Sequence, residues 1–167
     1  QLLIASIDIE TGSQNSKLYS IAIHLSGTIE EKKVFIVSEK KEKLSPHITT
    51  CADEKALLLN FLDWFNEKDP DVVIGWHVIG FDLMFLDNKC RELMIPFDLA
   101  RTDGRVSLRQ RKPSGYFASV TGRVIIDGPH SLRTSFFTFE DYRLETVAQE
   151  MLAEGKTITQ DQDKVEE

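Results

Sequence analysis

Leu2, Leu3, Ile4, Ala5 and Ile7 form an apolar run that opens the chain and ends in Asp8-Ile9-Glu10-Thr11. The run predicts a buried strand. Residues two apart in a strand share a face, so Asp8 and Glu10 project together while Ile7 and Ile9 turn to the core. After the polar turn of residues 11–17, Leu18, Tyr19, Ile21, Ile23 and Leu25 give a second strand, and residues 34–37 a third. Short polar turns between them predict an antiparallel meander. Leu57, Leu58, Phe61, Leu62 and Phe65 recur at helical spacing, which predicts a helix over 53–68. Asp53 or Thr50 caps it, and Asp69-Pro70 ends it.

Residues 72–75 are continuously apolar, as in a strand buried on both faces. A second helix follows over 81–94, with Leu83, Phe85, Leu86, Leu93 and Met94 apolar, and Pro96 stops it. The stretch 101–120 lacks a period, and Lys112-Pro113-Ser114-Gly115 makes it a hairpin or a long loop. Residues 124–126 read as another buried strand ending at Asp127-Gly128-Pro129. Short helices follow near 131–137 and over 144–152, the latter stopped by Gly155. The charge run 39–43 reads as a solvated loop, and the polar tail 157–167 as disordered or as part of an element that continues. The order of elements predicts an α/β fold, a mixed sheet flanked by helices with sites at strand ends.

Composition narrows this. The chain has 167 residues, 41% hydrophobic and 28% charged, which suits one soluble domain with a real core. Its net charge of −7 argues against a dedicated binder of long duplex DNA. A short nucleic-acid end is still compatible if metals and a local basic patch offset the charge. Cys51 and Cys90 form no paired framework, which points to a reducing compartment. No apolar run approaches the ~20 residues of a membrane span, and no signal peptide is present. A strand that begins at once suggests a piece of a longer protein.

Asp8 and Glu10 repel each other unless a cation sits between them, and a divalent metal with oxygen ligands is one solution. A strand end entering a polar turn is the other reading. Asp82 stands at a helix start, where an Asp commonly caps. If the strand 72–75 lies beside the first strand, Asp82 instead emerges near Asp8 and Glu10. Between residues 101 and 112, Arg101, Arg105, Arg109, Arg111 and Lys112 face a single acid, Asp103, with Tyr116 and Phe117 just beyond. This stretch is either a surface for nucleic acid, through phosphate contacts and stacking, or a solvated or packing loop.

Asp8-Ile9-Glu10-Thr11 resembles the first exonuclease motif of proofreading 3′–5′ exonucleases with a ribonuclease H-like fold. Gly75-Trp76-His77 through Phe81-Asp82 resembles the second. Gly122-Arg123-Val124-Ile125-Ile126-Asp127-Gly128, Tyr142-Arg143-Leu144-Glu145-Thr146-Val147-Ala148-Gln149-Glu150 and Glu154-Gly155-Lys156 continue the match. Together they resemble the exonuclease domain of family B DNA polymerases. The resemblance implies a mixed five- to six-stranded sheet and removal of 3′-terminal nucleotides from single-stranded DNA. It implies a two-metal site for Mg²⁺ or Mn²⁺, held by Asp8, Glu10 and Asp82 as catalytic ligands. Thr11, His77, Phe81, Arg105, Arg109, Arg111 and Tyr116 become the substrate-binding candidates. Implied partners are the 3′ end of a DNA strand and the polymerase domains of a parent chain. A monomer in the bacterial cytoplasm, at the nucleoid, is expected.

The chain departs from the family pattern twice. His77 stands where Asn is usual, and it either contacts the strand end or packs. His77 and Asp82 also show the His-x4-Asp spacing of a sister family's third motif, but no suitable second motif lies between Thr11 and Trp76. The expected Tyr-x-x-x-Asp of the third motif is missing: Tyr19, Tyr116 and Tyr142 are followed four residues later by Ile23, Val120 and Thr146. Asp127 could stand in as an acid but reads mainly as a cap or turn residue. The expectation is therefore a single exonuclease domain fragment, residues 1–167, with impaired catalysis. A non-catalytic nucleic-acid-binding module and a stand-alone RNA exonuclease are the rivals.

Overall fold

Six strands form the main sheet, in the order β4 (Ile48–Cys51), β3 (Glu31–Val37), β2 (Leu18–Ser26), β1 (Ile4–Thr11), β5 (Val72–Gly75) and β8 (Val124–Asp127). The computed structural model describes residues 1–14, 16–38, 45–111 and 115–152. The expected loop 39–43, the tip of the hairpin at 112–114, the Gly155 stop and the tail lie outside them. β1 (Ile4–Thr11), β2 (Leu18–Ser26) and β3 (Glu31–Val37) pair antiparallel, the expected meander. β5 (Val72–Gly75) joins β1 in parallel, and β8 (Val124–Asp127) joins β5 in parallel. The mixed five- to six-stranded sheet predicted from the sequence is thus present.

One strand was not foreseen. β4 (Ile48–Cys51) runs parallel to β3 at the sheet edge. It has four residues, two of them threonine, so it carries no readable period.

One face of the sheet carries Ala5, Ile7, Ile9, Ile21, Ile23, Leu25, Phe35 and Val73, all buried in one cluster. α1 (Glu54–Lys68) packs there through Leu57, Leu58, Phe61, Leu62 and Phe65. Each fully buried side chain of this size contributes about 1.5–3 kcal/mol. Phe35 meets Phe61 and Trp64 edge-on, with ring centroids 6.3 and 6.0 Å apart. Asp53 caps the helix by accepting the Ala56 N–H at 2.7 Å, and Asp69 ends it in the left-handed region at φ 52°. The cap reading of Asp53 therefore holds.

The second helix differs from expectation. A π-helical turn, Ile79–Leu83, precedes α2 (Met84–Glu92). Met94 is not a core residue: it is 90% exposed, at φ 55°, in the left-handed position that commonly follows a helix end. The stretch 101–120 contains a regular hairpin, β6 (Val106–Arg111) with β7 (Gly115–Val120), antiparallel without a bulge. α3 (Gly128–Arg133) starts earlier than the expected 131–137, with Pro129 in its first turn, where no N–H is needed. α4 (Leu144–Leu152) lies where predicted.

The chain divides into two units, Gln1–Gly128 and Pro129–Glu167. The sheet, α1, the π-helical turn, α2 and the hairpin belong to the first. In the second, Asp141 accepts the Arg143 N–H at 2.9 Å just before α4. Arg133 lies over the Tyr142 ring at 4.7 Å. Among the described residues, no helix is long and apolar enough to cross a membrane.

Candidate metal and nucleic-acid site

Alternation along β1 sends Ile7 and Ile9 into the core and leaves Asp8 and Glu10 on the opposite face. Asp8 pairs in register with Ala22 and Glu10 with Ser20, so small neighbours flank both acids. The register slips between Glu10 and Thr11, one residue before the strand ends. Burial raises the Asp8 carboxyl above its usual range, and the Ile9 amide partly offsets this.

The segment after β5 is bent tightly against β1. A Cβ at Gly75 would stand 2.8 Å from the Ile7 carbonyl oxygen and 2.8 Å from Val78 Cβ, so only glycine fits without displacement. His77 takes the left-handed conformation at φ 58° and is exposed, so it does not pack in the core. Its carbonyl accepts the Phe81 N–H at 2.9 Å. The π-helical turn closes through the Leu83 N–H to the Val78 carbonyl at 2.8 Å. Phe81 turns outward, 48% exposed, with its ring 6.3 Å from that of Phe85.

Asp82 turns inward. It is 2% exposed, and its Oδ1 accepts the Ile9 N–H at 3.0 Å. It therefore reaches across to β1 from inside the π-helical turn, which corrects the helix-cap alternative. Burial first, and then the Asp8 charge, push its carboxyl up to about 7, and Asp127 adds to this. Two carboxyls beside each other, both held above their ordinary range, mark a spot that a cation would relieve. Asp127 ends β8, and its Oδ2 accepts the Ile79 N–H at 3.2 Å, a bond to the distant π-helical turn that its reading as a local cap or turn residue did not foresee. Glu10 remains exposed at the strand end. Among the described residues, no three His, Cys, Asp or Glu side chains gather into a metal-holding group. The fold thus joins Asp8 to Asp82, with Glu10 beside them on the same strand.

The hairpin separates residues that the sequence grouped together. Val106, Leu108 and Ala118 pack against the core, and Val120 is buried within it. Tyr116 shares this inner side, and a Cβ at Gly80 would meet its ring at 2.5 Å. Tyr116 thus rests on the π-helical turn with 47% of its surface exposed. Arg109 and Arg111 alternate to the outer side, where Arg111 lies 5.6 Å from the Phe117 ring. Arg105, Arg109 and Arg111 are exposed.

Arg101 is different. Its Nε reaches Asp69 at 2.7 Å and its Nη2 reaches Asp71 at 2.9 Å, so it braces the fold and does not belong to the basic surface. Arg123 was not foreseen as a structural residue at all. Its Nε donates to the Leu99 carbonyl at 2.6 Å and its Nη1 to Asp69 at 2.7 Å. No local signal in the sequence marks it, because its partners lie far along the chain.

Asp8 on the central strand β1 and Asp82 in the helical turn that follows β5 thus form an acidic spot beside a mixed α/β sheet. The chain belongs to the exonuclease domain family of family B DNA polymerases, whose model matches residues 1–147. It is 35% identical over 167 residues to DNA polymerase II of Escherichia coli (strain K12), covering 97% of this chain and 21% of that protein. It is 29% identical over 157 residues to a DNA polymerase of Thermococcus sp. (strain 9oN-7), covering 93% of this chain and 20% of that one. The solved family B DNA polymerase of the hyperthermophilic archaeon Pyrobaculum calidifontis superposes with a TM-score of 0.67 at 24% identity. That match covers 90% of this chain and 18% of the other, and it shows the same fold. The chain thus spans about a fifth of the length of these relatives.

Proposed function

We propose that this chain is the 3′–5′ exonuclease part of a DNA polymerase, hydrolysing the 3′-terminal phosphodiester of single-stranded DNA. The observation that carries the proposal is the coupled pair of Asp8, on the first exonuclease motif, and buried Asp82, on the second. The pair fits Mg²⁺ or Mn²⁺. Once ionised, the two adjacent carboxylates supply part of a hard-cation shell, and Mg²⁺ is commonly held by one or two carboxylates, with waters and substrate phosphate oxygens completing the shell. Bound metal would supply a lowered pKa for the attacking water and stabilise the departing 3′ oxygen.

The chain's own groups do the rest. Asp8 and Asp82 hold fixed oxygens at the site, and Glu10 extends the set from the same strand. Thr11 and His77 border the strand end, and the outward ring of Phe81 offers a stacking surface to the terminal base. Tyr116 adds a second ring over Gly80. Arg105, Arg109 and Arg111 contact phosphates farther along the strand. The sequence carries no Tyr-x-x-x-Asp, so we propose that the 167-residue chain hydrolyses DNA more slowly than a longer polypeptide of the same parent.

The test is mononucleotide release from a 3′-labelled single strand with Mn²⁺. The expected result is release by the longer polypeptide that Asp8→Ala abolishes, with far weaker release by the 167-residue chain. No Asp8-dependent release in either would remove the exonuclease reading. Retained single-strand binding would then favour a non-hydrolytic module.

The basic surface makes a separate prediction. Replacing Arg105, Arg109 and Arg111 together by alanine should weaken single-strand binding. It should also reduce the log–log salt slope by about 2, at roughly 0.7 per phosphate contact. Titrations at several salt concentrations measure this, and an unchanged slope would place the phosphate contacts elsewhere.

A further inference from the structure

We infer that Asp127 is a positioning residue for Asp82, holding the π-helical turn so that the Asp82 carboxylate meets β1; the inference rests on the exonuclease reading of the site. The first amides of a helical turn have no acceptor inside it. Val78, which precedes the turn, provides no side-chain cap. The Ile79 N–H finds its acceptor on another strand, Asp127 Oδ2 at 3.2 Å. Sheet register sets this up: Asp127 pairs directly with Gly75, the residue from which the bent segment departs.

The next residue pins the same segment from a second side. A Cβ at Gly128 would stand 2.7 Å from the Trp76 ring, so the indole lies flush against that backbone. Between these two fixings, His77 carries an unfavourable left-handed backbone. The result is a π-helical turn, a geometry that is rare and less stable than the α-helix. Its wide closure, from Leu83 N–H to Val78 carbonyl, accompanies the inward placement of Asp82 against the Ile9 amide. Without the Asp127 acceptor, the turn is free to rewind toward α-helical geometry, which shifts Asp82 in register away from Ile9.

The side-chain oxygen matters here, so asparagine should substitute for it and alanine should not. Amide hydrogen exchange is read by NMR on the metal-free, ¹⁵N-labelled 167-residue chain, at Ile79, Leu83 and Ile9. Mn²⁺ titration of the same samples reads broadening near Asp8. Loss of one such bond is expected to speed exchange at Ile79 and Ile9 in Asp127→Ala by about tenfold and to weaken Mn²⁺ binding several-fold. Asp127→Asn should stay near wild type in both. If Asp127→Ala does not fold, Asp127→Ser, whose shorter side chain cannot span the bond, takes its place.

Unchanged Ile9 exchange in the shortened variants overturns the inference. So does Asp127→Asn that weakens Mn²⁺ as much as alanine while exchange stays normal, because the charge itself is then the ligand. Exchange that responds as expected in a chain showing no Asp8-dependent Mn²⁺ broadening supports the positioning role and counts against the metal reading alone.

Discussion

Arg123→Ala is expected to cost about 3 kcal/mol of unfolding free energy, chiefly by stranding buried acceptors. The Arg123 side chain is 2% exposed. It donates to the Leu99 and Pro70 carbonyls and to Asp69, and its guanidinium lies 4.9 Å from the Phe65 ring. Burial pulls its pKa below the usual arginine range while Asp69 pulls it back. Guanidinium stays charged in proteins, so removal leaves carbonyls unpaired and a gap beside the core. Lysine should not rescue, because a point charge cannot serve separated acceptors at once. Arg101→Ala is the control. Its side chain is 30% exposed, and such pairs contribute about 0–1 kcal/mol. Urea unfolding of the three variants measures the difference. A loss at position 123 no larger than at 101 would show that solvent takes over the stranded carbonyls.

The second large effect lies at the acid pair. Asp82 ionises near 7 in the folded chain against an ordinary 3.8. The folded state therefore keeps a proton that the unfolded chain has released. Its stabilising contribution is complete below about pH 4 and is lost as pH rises through about 7. The shift corresponds to roughly 4 kcal/mol at most, and to about 2–3 kcal/mol once solvent at the neighbouring Asp8 screens it. Wild-type stability should fall by that amount between pH 4 and pH 8. Asp82→Asn keeps an acceptor for the Ile9 amide and removes the ionisation, so its profile should be flatter and its stability at pH 8 higher. Mn²⁺ should restore the wild type at pH 8 and leave the variant unchanged. Chemical denaturation at the two pH values decides: a variant that falls as steeply as wild type would mean that another group carries the dependence.

Much of this architecture was legible in the residues. The Asp8-Ile9-Glu10 alternation marked both the core face and the acid face of β1. The Leu57 to Phe65 spacing marked α1. The Asp8–Asp82 meeting required only that β5 lie beside β1, and it does. What was not legible has physical causes. Four residues with two threonines cannot display the period of β4. A π-helical turn of five residues leaves no pattern distinct from an α-helix. Strand alternation would have separated Tyr116 from Arg109 and Arg111, but only once the hairpin was known to be regular. A charged side chain buried by partners far away in sequence, as Arg123 is, leaves no trace in local hydropathy.

The parallel placement of β5 and β8 also bears on how the chain is made. β1 gains its antiparallel neighbour as soon as residue 26 has emerged, but its other edge waits for residues 72–75. At about 5–20 residues per second, that edge stays unpaired for several seconds of synthesis. β5 in turn waits for β8, which also carries the acceptor for the Ile79 amide. The two halves of the acid site therefore come together late, after the meander already exists, and pairing between strands distant in sequence is a slow step in folding. A ribosome paused before residue 127 would expose a chain with its first motif built and its second still untethered.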